Sequence, residues 1–574
     1  MKKVLFLVFI SLNFSLFSQT EDSVYHNLFS DVSEYRNYNE VYLGNLGTAK
    51  FNLLSPFREN DKRLKSLFPA SGKSSLYTDI FFVTGSGKEN YLDVEHYQNL
   101  GKSLKMNLFL TKTSSEGTYQ IQETSLSDYN LDLDYSSSKK RYNFNFKANY
   151  YRRYNELNGG INDSIFNDFL DSNITLKTLY PIQFTSGFAF NKMISKEVDY
   201  TYSHSYKLSK NANDSVGYFK LNQKLGYQKR IFEFNTSNPG FFDSIFYYDT
   251  TNTLDSLREE HITHEISLSH TKNNQEISIG FFIDYIEYNS YSPFYAHVEN
   301  SLFGRYNNTF GNLELQSKIG FMFEKSSFAT YFFNNSVRYK NKARKVFQLF
   351  KGEFNVYSKK YDTYYERYKS NHYQWNQVRN IDNIVSLKLN AISNNLNFKV
   401  GVNFESHDNS IIFDTNINVI QSKVTFLSFN LKKAFNLTSW LHWDVNVHFQ
   451  DILSRVQIET PNFVTSNRIY FKGKILKNDI LKFNIGFNVL YYTSFYAKAY
   501  SPALDKFYLQ NHTKVGNYPY LDFFAEFYLK NNFAFFTSIT HFNSGLFGNN
   551  YLATTNYPSQ DRAFKFGMKW RLFE

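Results

Sequence analysis

From about residue 76 to the C-terminus, apolar and polar residues alternate one for one, and helical spacing is nearly absent. Tyr129, Leu131, Leu133 and Tyr135 alternate with Asn130, Asp132 and Asp134. A polar turn at Ser136–Lys140 follows. Arg141 then opens a second run, in which Tyr142, Phe144, Phe146, Ala148 and Tyr150 alternate with Asn143, Asn145, Lys147 and Asn149. Successive side chains of a strand point to opposite faces, so this stretch predicts an antiparallel hairpin with one apolar and one polar face. The pattern returns at Ile262, His264, Ile266 and Leu268 and, after a turn, at Ile277, Ile279, Phe281 and Ile283. Trp443, Val445, Val447 and Phe449 alternate with Asp444, Asn446 and His448, and Phe483, Ile485 and Phe487 with Asn484, Gly486 and Asn488. The chain closes on Phe564, Phe566, Met568, Trp570 and Leu572 on one face, with Lys565, Lys569 and Arg571 on the other.

The connections alternate too. Short turns near residues 98–101, 136–140, 209–215, 271–275, 341–345, 394–395, 476–480 and 530–532 separate longer polar segments at 152–175, 235–259, 359–379, 407–420, 497–519 and 543–561. A soluble β protein of 574 residues would divide into domains of about 100–200 residues with linkers between them. No Pro/Gly/Ser-rich linker interrupts the alternation, and the chain has only 9 prolines. A single closed sheet needs neither boundaries nor edge strands. Its apolar face then meets lipid while its polar face lines a hydrated interior, which reconciles a membrane protein with a negative mean hydropathy. The expected fold is all-β: a transmembrane up-and-down antiparallel β-barrel of roughly 16–22 strands, with short periplasmic turns and long extracellular loops.

Composition supports this. Aromatic residues make up 19 % of the chain, from 61 Phe, 46 Tyr and 4 Trp, and such rings favour strands and membrane–water interfaces. Lys2 and Lys3 precede the apolar run Val4–Ile10, the pattern of a secretory signal peptide, with cleavage expected after Ser18. Residues 19–70 mix charge and turn signals and read as an N-terminal periplasmic extension, too short for a full plug domain. Residues 71–574 form the expected barrel. The expected location is the outer membrane of a gram-negative cell, as an integral protein after signal cleavage.

The search for chemistry yields little. The chain has no cysteine, which removes disulfides, thiolate metal sites and cysteine nucleophiles. The formal charge of +11, or +9 without the signal peptide, is diffuse, and nucleic-acid binding is not expected. His261 and His264 fall on opposite faces of a strand. His442 and His448 share a face but lie about 20 Å apart. Ser203-His204-Ser205 diverge to opposite faces and make no triad. Gly85-Ser86-Gly87-Lys88 echoes a phosphate loop but lacks the upstream glycine and is followed by Glu89, so a tight turn is expected. Asp132 and Asp134 are explained by a lumen lining as well as by acid–base work. Rings on the polar face, Phe109, Phe282 and Tyr492, could stack sugars, although interface and lipid-facing rings are far commoner. No cofactor, metal or enzymatic activity is expected.

The expected pore-lining residues are Arg141, Asn143, Asn145, Lys147, Asp444, Asn446, His448, Asn484, Asn488, Lys565, Lys569 and Arg571. The expected lipid-facing residues are Phe564, Phe566, Met568, Trp570 and Leu572, because a basic side chain facing lipid at the midplane costs about 2–4 kcal/mol.

Several stretches, in order, also resemble one known family: "VYLGNLGTA" (Val41–Ala49), "YQNLGKSL" (Tyr97–Leu104), "EGTYQIQ" (Glu116–Gln122), "YNELNGGI" (Tyr154–Ile161), "SNHYQWNQ" (Ser370–Gln377), "YYTSFYAKAYSPALDKFYLQ" (Tyr491–Gln510), "GNYPYLDFFAEF" (Gly516–Phe527) and "WRLFE" (Trp570–Glu574). They resemble the putative porin family of Bacteroidota-type outer membranes, across nearly the whole mature chain. The resemblance implies an outer-membrane β-barrel and a porin role; it carries over no binding residues. The closing Phe573-Glu574 departs from the terminal aromatic of many such barrels. The expected function is passive diffusion of small hydrophilic solutes through a water-filled lumen, with a weak anion preference. The alternatives are a barrel scaffold whose long loops bind partners or surface material, and a hydrophobic-solute channel. Expected partners are outer-membrane lipid, small hydrophilic solutes and the outer-membrane assembly machinery; the oligomeric state stays open.

Overall fold

The computed structural model describes residues 76–117, 121–161, 191–209, 216–237, 247–290, 294–324, 327–341, 346–454, 458–475, 480–529, 532–546 and 551–572. The expected signal peptide and N-terminal extension lie outside the described residues.

The described chain forms one closed sheet of 22 strands, with four short two-stranded ribbons in the connections 360–381, 493–519 and 541–562. The strands of the closed sheet are β1 Leu76–Gly85, β2 Glu89–Leu100, β3 Leu104–Ser115, β4 Thr124–Ser136, β5 Tyr142–Glu156, β6 Lys192–Lys207, β7 Tyr218–Thr236, β8 Thr253–Lys272, β9 Gln275–Ser290, β10 Tyr295–Phe310 and β11 Leu313–Glu324. There follow β12 Ser327–Lys340, β13 Leu349–Lys359, β14 Asp382–Ser393, β15 Phe398–Phe413, β16 Val419–Asn436, β17 Leu441–Ile452, β18 Phe463–Lys474, β19 Leu481–Tyr492, β20 Tyr520–Leu529, β21 Phe533–Thr540 and β22 Ala563–Leu572. Each pairs antiparallel with the next, and β22 pairs with β1, with Asp79 opposite Arg571 and Gly85 opposite Lys565. The expected up-and-down barrel is the observed one.

Alternation sets the two walls. On β22, Lys565, Lys569 and Arg571 are 0 %, 2 % and 4 % exposed, while Phe564, Phe566 and Trp570 are 54 %, 42 % and 44 % exposed. In a closed sheet the face that buries its charges against neighbouring side chains is the inner one. The outer wall carries stacked rings such as Tyr129 on Tyr150 and Trp440 on Phe471.

Both barrel ends of the chain, Leu76 and Leu572, sit with the turns at 101–103, 137–141, 273–274 and 394–397. At the tightest of these, Asn273 adopts the left-handed φ of +51° that a two-residue hairpin turn requires. The opposite end carries the long connections 157–191, 237–252, 360–381, 493–519 and 541–562. Several boundaries differ from expectation, as at 152–175 and 235–259, where the strands leave connections at 157–191 and 237–252. The first turn lies at 101–103, because β2 runs to Leu100. The long loop expected at 407–420 shrinks to 414–418, because the β15–β16 register shifts between His407 and Ser410; that bulge breaks the alternation that would have revealed a continuing strand. Strands also outrun the alternation: β8 has 20 residues, against the 9–11 or so needed to cross a bilayer.

Candidate functional site: the inner wall and the loops across its mouth

The seam between the last and first strands is closed by charge. Arg571 meets Asp79 in a two-pronged contact, Nε to Oδ1 at 2.7 Å and the terminal nitrogen to Oδ2 at 2.6 Å, with both side chains buried. Its guanidinium lies 5.1 Å from the Tyr77 ring, and the Tyr77 hydroxyl donates to Glu95 at 2.7 Å. Lys565 pairs with Glu89 at 2.8 Å. Lys569 is buried on the same inner face. Met568 and Leu572 share the outer face with Phe564, Phe566 and Trp570.

The other sequence-selected polar residues form two groups. On β4–β5, Asn145 donates to Asp132 and Asp134, Lys147 lies 3.4 Å from Asp132, and Ser136 donates to Asn143. Arg141 precedes β5 in the turn; its guanidinium reaches the Lys207 carbonyl and lies 5.1 Å from the Tyr206 ring, which places it at the rim. On β17–β20, Asp444, Arg468, Asn488 and Asp522 stand opposite one another in register. Beside them Glu526, fully buried, accepts from Arg468 and Asn484 at 2.8 Å each and from the Tyr528 hydroxyl at 2.9 Å. Asn446 shares the inner face of β17 with His448, whose Nε2 bonds Gln450 at 3.0 Å.

The isolated motifs resolve simply. Ser86–Lys88 is a short turn between β1 and β2, tied to β22 through a Phe564 N–H donated to Ser86. Gly87 there has φ +70°, and a Cβ would fall 2.7 Å from the Gly117 carbonyl. His204 sits against the Tyr142 and Tyr202 rings, its parity opposite that of Ser203 and Ser205. His264 bonds Gln223, while His261 faces Asp284 at 3.0 Å. Phe109, Phe282 and Tyr492 fall on inward positions of β3, β9 and β19.

The loop end holds what alternation did not reveal. The 493–519 connection leaves the barrel between β19 and β20, yet its Asp505 pairs with Arg153 on β5 at 2.8 Å. Tyr500, Ala503 and Leu157 pack with Met193 and Phe234 of β6 and β7, while Leu504 packs with Tyr288 of β9. The Leu509 N–H donates to the Phe413 carbonyl of β15 at 2.9 Å. One loop therefore touches wall strands on opposite sides, and it spans the mouth. Loop 541–562 joins it: Tyr551 and Leu552 pack with Phe495, Val515 and Tyr518. Loop 360–381 adds a third part. Trp375 donates to the Tyr364 carbonyl at 2.7 Å, and Asn371 and His372 bond Asp255 and Thr253 of β8. Below it, His407 lies between two carboxylates, 2.7 Å from Asp382 and 2.8 Å from Glu405. The one sequence signal was composition: a solvated loop has no use for Ala497, Ala499, Tyr500, Ala503 and Leu504, all buried here.

A closed antiparallel barrel with an apolar outer wall and a polar inner wall defines an outer-membrane β-barrel. The chain belongs to the putative porin family, whose model matches residues 20–574. No curated protein matches the chain. Among solved structures it is similar to a point mutant of the ferric enterobactin receptor PfeA of Pseudomonas aeruginosa, at 10 % identity and a TM-score of 0.58, covering 87 % of this chain and 80 % of that one. It is similar to the FrpB iron transporter of Neisseria meningitidis, at 8 % identity and a TM-score of 0.57, covering 87 % and 83 %. A third is the siderophore receptor PirA of Pseudomonas aeruginosa, at 9 % identity and a TM-score of 0.52, covering 87 % and 81 %. Likeness at such identity is one of fold alone.

Proposed function

We propose that this chain is a non-enzymatic diffusion channel of the outer membrane for small hydrophilic solutes, narrowed at its loop end by its own folded loops. The observation that carries this reading is the polar inner wall, on which Asp, Asn, Ser, Lys and Arg side chains succeed one another around a wide barrel. Such a surface is stable against water and costly against lipid. Lipid contacts the outer wall, and the outer-membrane assembly machinery inserts the chain. Many inner-wall charges are paired across strands, among them Arg571 with Asp79, Lys565 with Glu89 and Arg305 with Glu265. The proposed anion preference is therefore small, since paired charges leave a weak net field.

Purified full-length protein in planar bilayers tests the reading. The expected result is stepwise conductance with a reversal potential near zero, shifted slightly toward anion selectivity, and swelling of liposomes in small sugars. Absence of both would overturn it. The loop bridge favours one second reading, a barrel shut at rest whose loops present a surface to partners. Liposomes that never swell, together with partner capture by the loops, would select it. Unbroken strand pairing around the wall favours axial passage over a lateral opening for hydrophobic solutes.

A further inference from the structure

We propose that the inner wall of β10–β13 carries a binding site for an anionic, polyhydroxylated solute, of the sugar-acid or sugar-phosphate class. The proposal rests on the channel reading and names a solute for it.

Arg305 on β10 and Lys318 on β11 stand directly opposite each other on the inner face. Like charges at such a pair destabilise a sheet unless something compensates them. Arg305 is compensated from one side: a terminal guanidinium nitrogen meets Glu265 at 2.8 Å. The rest of its donors stay available, because a guanidinium carries five N–H groups. Among the described residues no carboxylate pairs with Lys318. Its ammonium rests instead between two rings, 5.3 Å from Phe303 and 4.8 Å from Phe332, while Arg305 lies 4.4 Å from Phe303. Rings hold cations in place without neutralising them. The result is a fixed positive pair with unused capacity for an anion.

The flanks add a second requirement. Asn307 stands opposite Gln316 on one side, and Lys318 stands opposite Asn334, which stands opposite Asn355, on the other. With Arg305, and with the Glu353 carboxylate at the edge two positions along the strand from Asn355, these residues line a cavity of about 530 Å³ on the inner wall, within the range of small-molecule sites. A carboxamide both donates and accepts, and so does a hydroxyl. A simple halide would use the cations and leave the carboxamides idle. A sugar bearing one carboxylate or phosphate would use both.

The test adds glucuronate, glucose 6-phosphate, glucose or acetate to one side of a bilayer holding the full-length protein. Discrete, concentration-dependent blocks of chloride current are expected with the two charged sugars, and at least tenfold weaker ones with glucose and acetate. Whichever charged sugar blocks at lower concentration assigns the anionic group. Lys318→Gln should weaken the block at least tenfold. The paired change Asn334→Ala with Asn355→Ala should weaken glucuronate block and leave acetate block unchanged. Heat-modifiable migration on gels verifies that each variant is folded. Equal block by charged sugars and acetate, or an unchanged block in folded Lys318→Gln, overturns the site while leaving the channel standing. If the wild type conducts nothing, the channel reading fails. Calorimetric titration of detergent-solubilised full-length protein with glucuronate then decides the site: binding lost in Lys318→Gln supports it, and absence of binding in the wild type overturns it.

Discussion

Arg571 and Asp79 are separated by 492 positions in the chain and share one buried two-pronged contact. Removing one partner of such a pair leaves the other charge buried and uncompensated, at a cost of about 3–5 kcal/mol. Arg571→Met should therefore lower the temperature at which the folded band is lost on semi-native gels. Adding Asp79→Leu should recover most of the loss, because a well-packed apolar pair is often as stable as the ion pair it replaces. An unchanged midpoint in Arg571→Met would remove the seam from the stability argument. Lys498, in the 493–519 loop and so outside the spanning strands, offers a second handle. Burial pushes its ammonium from the ordinary 10.5 down to about 8. Between about pH 8 and pH 10.5 the unfolded loop binds more protons than the folded one, so the bridge gains stability as pH rises through that window. Hydrogen exchange in 493–519, corrected for intrinsic rate, should slow from pH 8 to pH 10, and Lys498→Met should flatten the change. Parity placed Arg571 on the inner face; no parity argument could name Asp79 as its partner.

At the scale of elements, the strands were the legible part and the loops were not. Residues 142–150 and Ala563–Leu572 alternate cleanly, so their faces follow from sequence, whereas Tyr151-Arg152-Arg153 break the pattern and hid the last residues of β5 in the expected loop at 152–175. Phe398–Phe413 carries a bulge after His407, which shifted the expected loop boundary. The bridge element 493–519 is tied to the far wall by Arg153 and Asp505, both buried, with the Tyr500 hydroxyl donating to the same carboxylate at 2.9 Å. Asp505→Asn keeps the shape, and asparagine tolerates the left-handed φ of +52° found there. It removes the charge that holds Arg153. The expected outcome is a larger and noisier single-channel conductance than wild type. A conductance identical in mean and noise would show that the bridge is held by its apolar contacts alone.

For the molecule as a whole, the two walls make a prediction about depth. Trp443 stacks on Phe435 and Trp440 on Phe471, both on the outer side, and Trp570 is exposed on the outer face of β22. Trp375 packs instead inside the loop assembly, 4.7 Å from Tyr368. In variants retaining one tryptophan each, brominated lipid should quench Trp440, Trp443 and Trp570 and leave Trp375 bright. Strong quenching of Trp375 would place the loop assembly in the bilayer and overturn its placement across the mouth of the barrel.

What the sequence determined by itself was the period, the two faces and the closure of the sheet. These are local properties: each residue's side follows from its parity, and a long run of two-faced strands without linkers or tolerable edges has one economical solution. The tertiary structure alone decided which charges meet across strands, how the loops cross the mouth, and where Arg305 and Lys318 confront each other between carboxamides. Those depend on register and on contacts across the barrel, between segments whose order in the chain says nothing about their distance in space.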